Sequence, residues 1–247
     1  MIKKILNVKS SALFVAVLAM ILVIAGSCQS QPQRSGSGYN ISTATIDGTG
    51  KFYFGREIAQ VMGPGGTEWL ERDTRQQEEN SNLAISKLPL KGSMSVADIG
   101  AGSGYYAFRI AEKLPKGKVY AVEIQDEMIG YLSKRKSELK NRNVEIVKGS
   151  DHSPNLPDSS IDLAIMVDVY HELFYPREML QNIRRALRPN GRLVLLEYRG
   201  EDPNVPIKEL HKMSVAQVNR EMTANGFTLA YKGDFLPIQH FLVYRKK

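Results

Sequence analysis

The chain has 247 residues, of which 43% are hydrophobic and 24% charged, and a formal net charge of +7. That composition belongs to a folded globular protein rather than a disordered one, and the length allows one large domain or two small ones. The positive surplus is modest and does not argue for a nucleic-acid partner, which usually calls for a clustered basic face, and the single cysteine, Cys28, excludes an internal disulfide and a cysteine-cluster metal site.

The chain opens on Lys3, Lys4 and Lys9, and residues 10–26 then carry no charge. The aliphatic part, residues 12–24, is short for a spanning helix, which needs about 20 apolar residues. It suits the apolar region of a secretory signal, with Ala25, Gly26 and Ser27 as the small residues before the cleavage point. With Cys28 next, the segment resembles a bacterial lipoprotein signal. That resemblance implies that Cys28 becomes the lipid-carrying first residue. The departure is Ala25, where such signals usually have leucine. An uncleaved anchor helix is the alternative. Both readings leave the remainder outside the inner membrane, because positive residues before such a segment stay inside. The expectation is therefore a signal or membrane segment over residues 1–27 and a protein on the periplasmic side of the cell envelope, lipid-anchored or membrane-tethered. Residues 28–50, with QSQPQRSGSG, read as a flexible tether.

A folded domain is expected over residues 51–247. KFYFGREIAQVMG has Phe54, Ile58, Val61 and Met62 at helical spacing, which predicts a helix broken by GPGG. GTEWLERDTRQQEENSNLAISKL predicts one or two more, with Asn80 or Ser81 as a cap and Leu83, Ile85 and Leu88 as an apolar side. Residues 51–90 are thus expected as a helical extension. After Gly92 strands and helices alternate: SVADI, YYAFRIAEKL, KVYAVEI, DEMIGYLSKRKSEL, NVEIVKG, IDLAIMVD, PREMLQNIRRAL, RLVLLEY and SVAQVNREMTANG. IDLAIMVD is apolar on both faces, as in a buried parallel sheet. PNG predicts a turn before RLVLLEY, and FTLAYKGDF with QHFLVYRK predicts an antiparallel closing pair. Short links between such units imply an α/β sandwich with a mostly parallel sheet.

The most informative stretch is VADIGAGSGYYAFRIA, in which a strand ends at Asp98 and Ile99, a loop of Gly100, Ala101, Gly102, Ser103 and Gly104 follows, and a helix opens at once. Glycine serves where backbone turns sharply near a ligand, and a helix N-terminus offers free N–H groups. The dinucleotide fingerprint G-x-G-x-x-G is broken by Tyr105, which argues against an NAD-dependent oxidoreductase. The pattern here, D-x-G-x-G-x-G, resembles motif I of the class I S-adenosylmethionine-dependent methyltransferases. VYAVEI, ending on Glu123, KGSDHSPNLPDSSIDLAIMVDVYHEL and LRPNGRLVLLEY resemble that family's later segments in the same order. The resemblance covers roughly residues 83–247. It implies a Rossmann-like methyltransferase sandwich: a mostly parallel seven-stranded sheet with an antiparallel last strand and helices on both faces.

It also implies S-adenosyl-L-methionine as cofactor. Asp98 would orient the loop and reach the methionine end, and Gly100, Ala101, Gly102 and Gly104 would let backbone approach it. Glu123, with Ile124 beside it, would bind ribose, a role that Rossmann sites also give to an acid after the second strand. Asp151, next to Ser150, would accept from the adenine amino group. Asp168, His171 and Glu172 follow the fourth strand beside the expected transfer point. Asp168 is a candidate for both cofactor binding and catalysis, and His171 for a general base. Each also has a plain structural reading, as a turn, a solvated strand end or a helix-start histidine. Trp69 is either a lid residue or a packing residue. His152, His211 and His240 show no ligand spacing, so no metal centre is expected.

The acceptor is narrowed by exclusion. VDVYHEL stands where amino-methylating nucleic-acid enzymes carry Pro-Pro-aromatic, and no cysteine lies in the folded part to attack a cytosine ring. A small-molecule or lipidic acceptor remains, with the membrane as a partner through the N-terminal anchor. The competing expectation is a non-catalytic, envelope-anchored binding module on the same fold, because the cofactor is made in the cytoplasm.

Overall fold

Residues 38–247 are described by the computed structural model. The expected signal segment, Cys28 and the first part of the expected tether lie outside the described residues. Residues 38–59 are neither tether nor helix. β1 (Tyr39–Ile41), β2 (Gly48–Tyr53) and β3 (Arg56–Ala59) form a small antiparallel sheet in that order. The helix expected over KFYFGREIAQVMG is thus corrected to a hairpin. Tyr53 pairs with Arg56 across a two-residue loop, and both loop residues are left-handed, Phe54 at φ 49° and Gly55 at φ 86°. Two consecutive left-handed residues make the tight turn whose twist matches paired strands. The helical spacing of Phe54, Ile58 and Val61 was therefore accidental.

A 310 turn (Pro64–Gly66) and three short helices follow, α1 (Thr67–Leu70), α2 (Arg75–Glu79) and α3 (Ser81–Lys87). Asn80 joins α2 to α3 in the left-handed region at φ 54°, but its side chain caps nothing. Gln76 does that work, its Oε1 accepting from Asn82 N–H (3.0 Å) and Ser81 Oγ (2.8 Å).

The main sheet holds β4 (Ser95–Ile99), β5 (Lys118–Glu123), β6 (Val144–Lys148), β7 (Ile161–Val167), β8 (Leu187–Tyr198), β9 (Phe227–Gly233) and β10 (Gln239–Lys246). Its order is β6-β5-β4-β7-β8-β10-β9, with β10 antiparallel to both neighbours and the pairs from β6 to β8 parallel. The remaining helices are α4 (Tyr105–Ala111), α5 (Asp126–Glu138), α6 (Pro176–Ala186) and α7 (Val215–Ala224). β7 shows why both faces must be covered. Leu163 and Ile165 pack with Phe108 and Leu132 on one side, while Ala164 and Met166 pack with Leu180 and Ile183 on the other. The turn expected at PNG is instead absorbed into β8, as a bulge between the pairs Ile161–Leu187 and Leu163–Arg192. No helix among the described residues is long and apolar enough to cross a membrane.

The two sheets are joined by buried charge. Arg56 binds Glu221 on α7 through Nε (2.9 Å) and Nη2 (3.1 Å), and its Nη1 donates to the carbonyl of His171 (2.9 Å). Tyr170 donates to the same Glu221 (2.7 Å). The Lys51 ammonium lies over the rings of Tyr175 (3.3 Å), Phe174 (4.1 Å) and Tyr39 (4.2 Å).

Candidate functional site

From β4 the chain winds through β5 and β6 in one direction along the sheet, and β7 and β8 lie in the other. The switch point is therefore between β4 and β7, where ligands bind at the carboxyl ends of strands in such sheets. A cavity of about 740 Å³ opens there. Asp98, Gly100, Ala101, Gly102, Glu123, Ile124, Ser150, Asp151, Asp168, His171 and Glu172 all contribute to its wall. Of the expected site residues in the described part, only Gly104 does not.

The glycine loop is tied to β5 by N–H bonds from Gly100 (2.9 Å) and Ala101 (3.0 Å) to the carbonyl of Val122. Gly102, at φ 53°, turns its N–H to Glu123 Oε2 (2.9 Å). Glu123 Oε1 accepts from the N–H groups of Ile124 (2.7 Å) and Gln125 (2.9 Å). Three backbone donors thus fix a buried carboxylate, whose remaining lone pairs can accept from a diol. Gly104 has a different reason to be glycine. It begins α4 at φ 79°, and a Cβ there would stand 2.6 Å from the Phe108 ring and 2.7 Å from Leu132. Its task is close packing, not ligand contact.

Burial pushes the Asp98 carboxyl up to about 7; the Ala107 N–H opposes that shift and the nearby Glu123 charge adds to it. Burial also drives Asp168 well above the usual carboxylate range, reinforced by Glu79 and Glu197. Gln239 Nε2 donates to Asp168 Oδ2 (2.7 Å), while Asp168 Oδ1 and Tyr106 OH, both buried, have no hydrogen-bond partner among the described residues. Asp168 and Tyr106 both line the cavity. A cationic amine or a hydroxyl satisfies such atoms. The cradle therefore fits S-adenosylmethionine: a fixed acid for the ribose diol, and buried acids for an ammonium.

The segment before β4 closes over the loop. Leu70 reaches to within 2.8 Å of the position a Gly102 Cβ would take. Glu71 accepts hydrogen bonds from Ser103 Oγ and Arg135 Nη1. Trp69 lines the cavity, 44% exposed, with the Arg72 guanidinium 3.6 Å from its ring centre. It stands in the cavity wall rather than in the core.

The third group is centred on the 310 turn Tyr170–Glu172 after β7. Glu197, fully buried at the end of β8, accepts from the Tyr170 N–H (2.8 Å) and from His171 Nδ1 (2.6 Å). His171 Nε2 meets His211 Nδ1 at 3.1 Å. Glu172 Oε1 lies 3.3 Å from that His211 atom and 3.7 Å from His171 Nε2, and accepts from the Met62 N–H (3.2 Å). Burial works against a charged His171, but Glu197 and Glu172 outweigh it and raise its pKa to about 10. Its Nδ1 is thus engaged by Glu197, while Nε2 faces His211 and Glu172 in the cavity wall.

Sequence reasoning missed Glu197, His211, Gln239 and Tyr106. Glu197 had a signal, since the acid in RLVLLEY stands at the end of a strand too apolar to be exposed. His211 had none, being 40 residues from its partner.

The family model described as a methyltransferase domain matches residues 90–241. An uncharacterized methyltransferase-like protein of Schizosaccharomyces pombe is 34% identical over 111 residues, 45% of this chain and 40% of that protein. The demethylmenaquinone methyltransferase of Chlamydia trachomatis is 29% identical over 138 residues, 54% of this chain and 59% of that enzyme. The chain thus spans about half the length of the curated relatives it matches. A crystal structure of a SAM-dependent methyltransferase from Aquifex aeolicus superposes with a TM-score of 0.70 at 24% identity, covering 74% of this chain and 98% of that one. That likeness is one of fold.

Proposed function

The chain belongs to the S-adenosylmethionine-dependent methyltransferase-domain family, and from that premise we propose that it transfers the cofactor's methyl group to a small-molecule or lipidic acceptor, on the outer side of the inner membrane and anchored through Cys28. The carrying observation is a cavity of about 740 Å³, walled on one side by Asp98, Gly102 and Glu123 and also by Met62, Phe174 and Ile207. Small-ligand pockets run from about 300 to 1,000 Å³, so this one has room for the cofactor and a modest acceptor. Its apolar members suit an acceptor with a hydrocarbon part. The buried Asp98 and Asp168 suit the cofactor's ammonium, and alignment of the acceptor with the sulfonium methyl then supplies much of the rate.

Calorimetry on the full chain tests the first half: S-adenosylmethionine is expected to bind one-to-one, and no binding by folded protein overturns the reading. Incubation with methyl-tritiated cofactor and extracts of membrane lipids and small metabolites tests the second. Label recovered in an organic or small-molecule fraction supports it. Binding without turnover across the panel favours the non-catalytic binding module instead. Mass spectrometry of the mature N-terminus tests the anchor, since an intact Met1 refutes lipidation at Cys28.

A further inference from the structure

Three ligand atoms of metal-binding type converge in the wall of this cavity. His171 Nε2, His211 Nδ1 and Glu172 Oε1 lie 3.1, 3.3 and 3.7 Å apart pairwise, and all three residues line the cavity. Atoms held about 2.1 Å from one zinc ion stand about 3.4 Å apart in tetrahedral geometry, or about 3.0 Å at right angles. Two of the observed spacings fall between those values and the third lies slightly above them. One proton bridges one such pair well, whereas a cation at the centre satisfies all three.

The surroundings fit the same purpose. His171 Nδ1 is 2.6 Å from Glu197 Oε2, which orients the ring and leaves Nε2 facing the other two ligands. A carboxylate behind a ligating histidine is the usual outer support of a metal site. Glu197 is itself held by the Tyr170 N–H (2.8 Å), and the carbonyl of His171 by Arg56 (2.9 Å). The turn that carries two of the ligands is therefore rigid before any ion arrives. His211 comes from a separate 310 turn, Glu209–His211.

We propose that His171, Glu172 and His211 form a binding site for a divalent first-row transition cation, with Zn(II) best matched, whose remaining coordination positions open into the cavity. Two imidazoles and one carboxylate suit such ions and disfavour magnesium and calcium, which take oxygen ligands. Three protein ligands leave a position for an exogenous oxygen or nitrogen donor, as in catalytic rather than structural sites. The site would thereby hold an acceptor bearing a hydroxyl, amine or carboxylate. The cation site itself does not depend on the methyl-transfer reading.

The test uses the full chain with Cys28→Ser, which removes the only thiol, stripped with a chelator and titrated with Zn(II) alone. Saturable one-to-one binding is expected, and Co(II) in its place should give a visible absorption band of low coordination number. His211→Ala, at a side chain 21% exposed and so tolerant of replacement, should weaken Zn(II) binding by at least about 100-fold while the thermal unfolding transition persists. Glu197→Gln should weaken it by about 10- to 100-fold, and His152→Ala should leave it unchanged. No saturable binding by the folded parent, or wild-type affinity in His211→Ala, overturns the proposal. Cofactor binding is measured in the same samples, so loss of the metal site and loss of the cofactor site are separately visible.

Discussion

The two parts of the cavity wall are built by opposite means. The side proposed for the cofactor comes from short contiguous stretches, Asp98 to Gly102 and Glu123 to Ile124, at the ends of adjacent parallel strands. The side around His171 is assembled from segments far apart in the chain: the hairpin near Arg56, the turn Tyr170–Glu172, Glu197 on β8, His211 and Gln239. The first is set by local backbone geometry and the second by buried ion pairs. The difference teaches that one cavity can have a motif-encoded half and a packing-encoded half, and the two should fail differently.

Arg56→Ala strikes the packing-encoded half hardest. It leaves the fully buried Glu221 without its bidentate partner, and removal of one member of a buried pair costs about 3–5 kcal/mol. Urea unfolding should show that loss. Cofactor affinity, measured on the folded fraction, should stay within a few-fold. A large drop in affinity would dissolve the distinction between the halves.

Glu123→Ala strikes the motif-encoded half. Cofactor affinity should fall about 100-fold, or about 2.7 kcal/mol. Stability should fall less, by about 1–2 kcal/mol, because three backbone N–H groups lose an acceptor but stand beside an open cavity. Equal binding by variant and parent in calorimetry would remove Glu123 from the site.

Asp98 gives the comparison a pH axis. Its folded pKa is raised to about 7 from 3.8, so between those values the folded state holds more protons than the unfolded. Its contribution to stability is therefore fully present below the unfolded pKa and is lost as pH rises through the folded one, by up to about 1.4 kcal/mol per pH unit. Asp98→Asn should remove that slope from ligand-free protein. The affinity for the cationic cofactor should do the reverse in the parent, rising from pH 6 to pH 8. An unchanged slope in the variant assigns the titration elsewhere.

The smallest effect is expected outside both halves. Ser214 caps α7, its side chain accepting from the Gln217 N–H (3.2 Å). Ser214→Ala should cost about 1 kcal/mol in thermal unfolding and leave cofactor and Zn(II) affinities unaltered. A change in either would link α7 to the site more tightly than Arg56 and Tyr170 alone do.

How much was legible follows the same division. Asp98, the glycine loop and Glu123 could be read because strand, turn and helix start are consecutive, so spacing maps directly to geometry. The order of strands and helices from β4 to β10 was readable because each element carries its own apolar pattern. Gly104 was placed correctly in the turn but given the wrong task, since only packing shows that Phe108 and Leu132 fill the space beside it. The hairpin over residues 48–59 was misread because Phe54 and Gly55 turn the chain without the usual Asn-Gly pair.

By itself, then, the sequence determined the parallel sheet, the glycine loop after β4 and the acid at the end of β5, because these depend on interactions among neighbours in the chain. Only the tertiary structure decided that His171 is clasped by Glu197, that His211 meets it across 40 residues, and that Arg56 holds their turn in place. Those contacts are between side chains whose separation in sequence carries no period. Their partners are chosen by which buried charges and lone pairs must be satisfied once the sheets have packed.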